Sequence, residues 1–139
     1  MLRAEITAEV LNQRSVGTLP ALIGVQVIKI GVEGLVGQLA VRPELLAPNG
    51  YLHAAAVIAL ADSMAGYGTY AHLPQDAKGF TTIELKSNFC GTAREGVIVC
   101  TATAAHFGRT TQVWDAVVSD QASGRNIALF RCTQLILSK

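Results

Sequence analysis

The chain has 139 residues, with eleven basic and ten acidic side chains for a formal net charge of +1. Neither sign forms a run, so the sequence offers no footprint for nucleic acid or a membrane surface as partner. Half of the composition is hydrophobic, yet no apolar stretch reaches the roughly 18 to 20 residues that a bilayer span needs. The most apolar stretch, residues 52 to 65, is interrupted by His53, Asp62 and Ser63. The N-terminal MLRAEITAEVLNQR is charged throughout where an export signal would carry an apolar core, so the cytoplasm is the expected compartment. A single domain over residues 1–139 is expected, long enough to bury a core. Cys90, Cys100 and Cys132 lack C-x-x-C spacing and lie in apolar or strand-like segments, which predicts reduced core residues and no metal site. Charged residues make up only 15% of the chain, so part of the surface is expected to be covered by further copies of it.

In chain order, EITAEVLNQRSV (5–16) has the spacing of a short amphipathic helix, with Ile6, Val10 and Leu11 on one side. Gly17 and Pro20 break it. GVQVIKIG (24–31) and GLVGQLAVR (34–42) then read as a β-hairpin about a short glycine-containing turn. Past the breakers Pro48 and Gly50, a long helical stretch runs to about His72. FTTIELKSNF (80–89), GVIVCTATAAHF (96–107), TTQVWDAVVSD (110–120) and NIALFRCTQLIL (126–137) are strand signals. Helix, two strands, one long helix and four strands define an α+β class, with a curved antiparallel sheet of about six strands around the long helix. Along 80–89 simple alternation puts Thr81, Ile83, Leu85, Ser87 and Phe89 on one face and Thr82, Glu84, Lys86 and Asn88 on the other. A strand with one polar face is open to pairing at a sheet edge with a second subunit, or to solvent.

The chemical signal is NGYLHAAAVIALADSMAGYG (49–68), where Asp62 is the only acidic residue. Its helical neighbours would be Ile58, Ala59, Ala65 and Gly66, a small apolar patch. A carboxylate there is costly to ionise and correspondingly basic, which suits a nucleophile or a general base in hydrolysis of an activated acyl group. The oxyanion of such a reaction needs a donor, and the first turn of the same helix, at Ala54, has free N–H groups. Eight residues of helix separate Ala54 from Asp62 by about 12 Å, too far for one reacting carbonyl, which lies within about 3 Å of its donors. If both take part, they come from two subunits, and a two-fold dimer is the minimal active unit.

These residues, with the order of elements, resemble the hotdog-fold acyl-CoA thioesterases of the phenylacetate-pathway, enterobactin-proofreading and 4-hydroxybenzoyl-CoA branch. That pattern has glycine, two residues, His-Gly-Gly, and an acid nine residues after the histidine, matched by Gly50, His53 and Asp62. ELKSNFCGTAREG and HFGRTTQVWDAVVSDQASGR resemble later family elements, so the likeness covers about residues 20–137. It implies a hotdog fold and hydrolysis of an acyl- or aryl-CoA thioester, with coenzyme A as part of the substrate and no separate cofactor. It further implies a homo-oligomer, dimeric at least and tetrameric by family habit. Carried over, Asp62 attacks the carbonyl or activates water, the partner's Ala54 N–H holds the oxyanion, His53 and the nearby Asn49 and Gly50 position the thioester, and Thr82 supplies a water-orienting hydroxyl. Gly108, Arg109, Thr110 and Thr111 would contact the CoA phosphates. Trp114 and Tyr67 read as core, and His106 as structural or at the rim. The chain departs from the pattern at Ala54 and Ala55 (glycines), Ala47 (Gln or Asn) and Gly66 (Ser or Thr). These departures motivate an alternative, an acyl-CoA-binding hotdog protein without hydrolysis. A hydratase of the same fold would set a histidine where this chain has Tyr67.

Overall fold

The computed structural model describes residues 1–138. Two short helices, α1 (Ala8–Ser15) and α2 (Leu19–Ile23), precede the hairpin of β1 (Gln26–Gly31) and β2 (Gly34–Ala40). The central helix α3 (Ala54–Ala71) follows, and then β3 (Ala77–Phe89), β4 (Val97–Phe107), β5 (Thr111–Asp120) and β6 (Asn126–Ser138). The expected N-terminal helix is shorter than its periodicity, because Thr7 caps it by accepting from the Val10 N–H at 3.2 Å. Pro20, read as a breaker, instead sits in the first turn of α2, where a proline costs no hydrogen bond. Arg42 closes α2 from below, donating to the carbonyls of Leu22 at 2.8 Å and Ile23 at 3.3 Å.

All six strands form one antiparallel sheet in the order β1-β2-β4-β5-β6-β3. The connection through α3 therefore carries the chain to the far edge of the sheet, and β3 is paired on one side only. Alternating positions of the strands face α3: Leu35 and Leu39, Ile98, Cys100 and Ala102, Trp114, Ala116 and Val118, Ala128, Phe130 and Cys132. From α3 itself, Val57, Leu60, Ala61, Met64, Ala65 and Gly68 close the core. Small residues let the sheet come close. A Cβ on Gly37 would stand 2.3 Å from the Met64 sulfur, and one on Gly68 would stand 2.5 Å from the Trp114 ring. The α1 helix is tied to the other edge by Asn12, which donates to the Val27 carbonyl at 2.9 Å and accepts from the Val27 N–H at 2.8 Å.

Two expectations need correction. Cys100 and Cys132 are buried thiols, but Cys90 is exposed, because it falls just beyond the end of β3. The alternation along β3 is also broken. The pairing with β6 slips between Thr82 and Glu84, so a bulge at Ile83 shifts the pattern by one. Phe80 and Thr82 thereby join Leu85, Ser87 and Phe89 on the helix side, opposite the inward Ile136, Gln134, Cys132, Phe130 and Ala128. Glu84, Lys86 and Asn88 keep the outer face.

Candidate active site

The start of α3 is held by a short scaffold. The Ala47 N–H donates to the Tyr51 carbonyl at 2.7 Å, and Gly50, with φ +85°, makes the left-handed turn between them. Asn49 spends its side-chain oxygen on the Tyr51 N–H at 3.2 Å. The His53 N–H then donates to the Leu45 carbonyl at 2.9 Å and fixes the helix entry. His53 is the N-cap, and its Nδ1 accepts from the Ala55 N–H at 2.9 Å, which places the proton of the neutral ring on Nε2. Ala56 and Val57 donate to the His53 carbonyl at 3.0 and 3.4 Å. Of the four N–H groups that open the helix, only that of Ala54 has no partner among the described residues. Ala54 lines a recess of about 450 Å³ together with Asn49, His53, Val57, Phe89 and Thr92. A free donor at the positive end of an 18-residue helix is a site for a developing negative charge.

Asp62 does not line that recess. Its place follows from two other contacts between α3 and β3. A Cβ on Gly66 would lie 3.5 Å from the Phe80 ring, and at the other end Val57 and Phe89 share the recess. Asp62 falls between those two positions along α3, close enough to Cys132, the cross-strand partner of Leu85, for its charge to act on that thiol. Burial holds its carboxyl above the usual carboxylate range, and Oδ1 is buried without a hydrogen-bond partner. Its charge reaches Cys132, whose thiol is pushed up to about 12, first by burial and then by Asp62. Thr82 lies on the helix side of β3 opposite Gln134 and donates its hydroxyl to Gln134 Oε1 at 2.8 Å; Gln134 in turn donates to the same Cys132 sulfur.

The remaining expected site residues lie apart. Gly108 precedes β5 at the turn between β4 and β5, beside His72 at the C-terminal end of α3. The length of α3 puts this turn, with Arg109, Thr110 and Thr111, about 27 Å from Ala54 within one subunit. Trp114 is buried, donates to Gln112 Oε1 at 3.0 Å, and packs against a tilted His72 ring and edge-on to Phe107. Tyr67 packs on the core and bonds the Ser15 hydroxyl. His106 is exposed. Gln134, Cys132 and Ser87 were missed as members of the polar lining beneath α3. The signal was available in CTQLIL, where a glutamine occupies an inward position of an alternating strand. Among the described residues no group of three or more His, Cys, Asp or Glu side chains could hold a metal ion, and no helix is long and apolar enough to cross a membrane.

One long helix wrapped by a six-stranded antiparallel sheet, with a free donor at its start and a buried carboxylate at its middle, defines a hotdog-fold protein. The chain belongs to the thioesterase superfamily, whose family model matches residues 49–126. It is 29% identical over 121 residues to 1,4-dihydroxy-2-naphthoyl-CoA hydrolase of Listeria monocytogenes, covering 87% of this chain and 97% of that one. It is 30% identical to the proofreading thioesterase EntH of Cronobacter sakazakii over 97% of each chain. A mutant thioesterase of Pseudomonas aeruginosa superposes with a TM-score of 0.94 over 99% of both chains at 27% identity. The PaaI protein of the Escherichia coli phenylacetic acid degradation operon, at 19% identity, shares the fold with a TM-score of 0.81 over 91% of this chain and 89% of that one.

Proposed function

We propose that this protein hydrolyses an acyl- or aryl-CoA thioester to the free acid and coenzyme A, in sites shared between two subunits. The observation that carries the reading is the pairing of one unsatisfied donor, the Ala54 N–H, with one unsatisfied buried acceptor, Asp62 Oδ1, on the same helix but too far apart for one carbonyl. Across a two-fold axis the N-terminus of one α3 meets Asp62 of the other. The thioester oxygen then rests on the Ala54 N–H, and the carboxylate attacks the carbonyl carbon or takes a proton from water that does so. Membership of a thioesterase superfamily, with one relative named as a CoA-thioester hydrolase, supports this chemistry.

The dimer is proposed through β3. That strand has an unpaired edge, and Ile83, Leu85 and Phe89 are exposed on it. Val117 and Leu129, paired neighbours on the outer face of the sheet, are exposed as well and would serve a tetramer. The Gly108–Thr111 turn would then hold CoA phosphates for a site whose donor comes from another subunit, through backbone N–H groups and Arg109. The cytoplasm remains the expected location. Assaying thiol release from a panel of acyl- and aryl-CoAs tests the function. Turnover that disappears in Asp62→Ala supports it, while no turnover of any member points to the alternative, binding without hydrolysis.

A further inference from the structure

We propose that Gln134 is a positioning residue for hydrolysis, fixing Thr82 as an acceptor for the attacking water beside Asp62. This inference rests on the hydrolytic reading of the site.

Gln134 has no exposed surface, on a strand whose inward neighbours are Cys132 and Ile136. A buried amide costs free energy unless it is bonded, so an apolar residue would be the simpler filling. The bonds it makes are unequal. Nε2 donates to the Cys132 sulfur at 3.4 Å, a weak acceptor, whereas Oε1 takes the Thr82 hydroxyl at 2.8 Å. A threonine hydroxyl has one proton. Once it is given to Gln134, Thr82 Oγ1 can only accept.

Two consequences meet at Asp62. Thr82 cannot turn its proton onto the carboxylate, in keeping with the unpartnered Oδ1 and with a basicity set by burial. A water between them can give one O–H to Thr82 Oγ1 and the other to the carboxylate, which leaves an oxygen lone pair directed away from both. The Ile83 bulge makes this possible, since without it Thr82 would face outward with Glu84. It also supplies from the strand the hydroxyl that the resembled family carries at the position of Gly66.

The test is a double-mutant cycle on CoA-thioester hydrolysis by the intact protein, with Gln134→Met, Thr82→Val and both together. The expected result is a loss in kcat of about tenfold for each single variant with KM little changed, and no further loss in the double variant. Full kcat in Gln134→Met, a loss confined to KM, or losses that multiply in the double variant would overturn the proposal. If Gln134→Met does not fold, Gln134→Glu, which keeps an acceptor for Thr82, enters the same cycle. There kcat must stay above that of Thr82→Val and fall to that level when both changes are combined; a kcat already at that level overturns the proposal. No turnover of any thioester by the parent protein would instead remove the hydrolytic reading, and turnover that survives Asp62→Ala would remove Asp62 from it; the cycle mimics neither result.

Discussion

Gly66 and Gly68 stand two residues apart on α3, and replacing each by alanine should move stability in opposite directions. Alanine in a helix interior is favoured over glycine by about 1 kcal/mol, mostly through the entropy of the unfolded chain. At Gly66 nothing opposes this gain, because the new methyl meets the Phe80 ring at 3.5 Å, an ordinary contact. At Gly68 the methyl would lie 2.5, 2.6 and 2.8 Å from three atoms of the Trp114 ring. The indole would have to retreat by about 1 Å to restore normal carbon–carbon spacing. It is fully buried, bonded to Gln112 and packed against the rings of His72 and Phe107, which hinder its retreat. Overpacking of this kind costs about 1–3 kcal/mol, and weakening the indole hydrogen bond adds about 1 kcal/mol. The helix gain offsets part of the sum. Gly66→Ala should therefore stabilise by roughly 0.5–1 kcal/mol, and Gly68→Ala should destabilise by roughly 1–3 kcal/mol. Urea denaturation at one fixed protein concentration reads both as shifts in midpoint at constant slope. If the two variants shift the same way, the close packing of Trp114 on α3 is wrong.

Three further outcomes follow from the site and its surroundings. Because burial raises the folded-state pKa of Asp62, this group favours the fold at low pH and loses that contribution as pH rises through its folded value. Hydrolysis runs the other way, since the ionised form reacts, so the acid limb of the kcat/KM profile should lie above the ordinary carboxylate range; a limb at the usual aspartate value would contradict the burial. Asn12→Ala removes two hydrogen bonds to Val27 and should cost about 1–3 kcal/mol of stability, seen as a lower Tm. In the native protein a thiol reagent should label Cys90 and spare Cys100 and Cys132, which mass spectrometry of the labelled protein resolves.

The architecture was legible because each element has one dominant period. NIALFRCTQLIL and TTQVWDAVVSD, read as strands, are β6 and β5, and the alanine-rich run from Ala54 gives α3 almost to its ends. Asp62 stood out because its surroundings lack any other charge, and the structure explains that plainness as close packing of α3 against the sheet and Phe80. The bulge at Ile83 was hidden, since an inserted strand residue leaves FTTIELKSNF looking like unbroken alternation. Simple alternation therefore grouped Thr82 with Glu84, Lys86 and Asn88, although it shares the helix side with Leu85. Gln134 was overlooked for a related reason: its importance depends on a cross-strand partner 52 residues away. The helix at Pro20 was obscured because the same residue starts helices and stops them.

The central claim is that one site draws its carboxylate and its oxyanion donor from two subunits. Ala54 is the first residue of α3, and His53 before it has φ −64° and ψ 135°, a conformation that a following proline accepts. Ala54→Pro therefore removes the N–H without breaking the helix. Mixing and reassociating inactive Asp62→Asn subunits with inactive Ala54→Pro subunits should restore thiol release to about a quarter of the parent rate, because half of the dimers are hybrids and each hybrid has one intact site. A mixture that exchanges subunits yet stays inactive would show that each chain must supply both groups itself, contradicting the shared site.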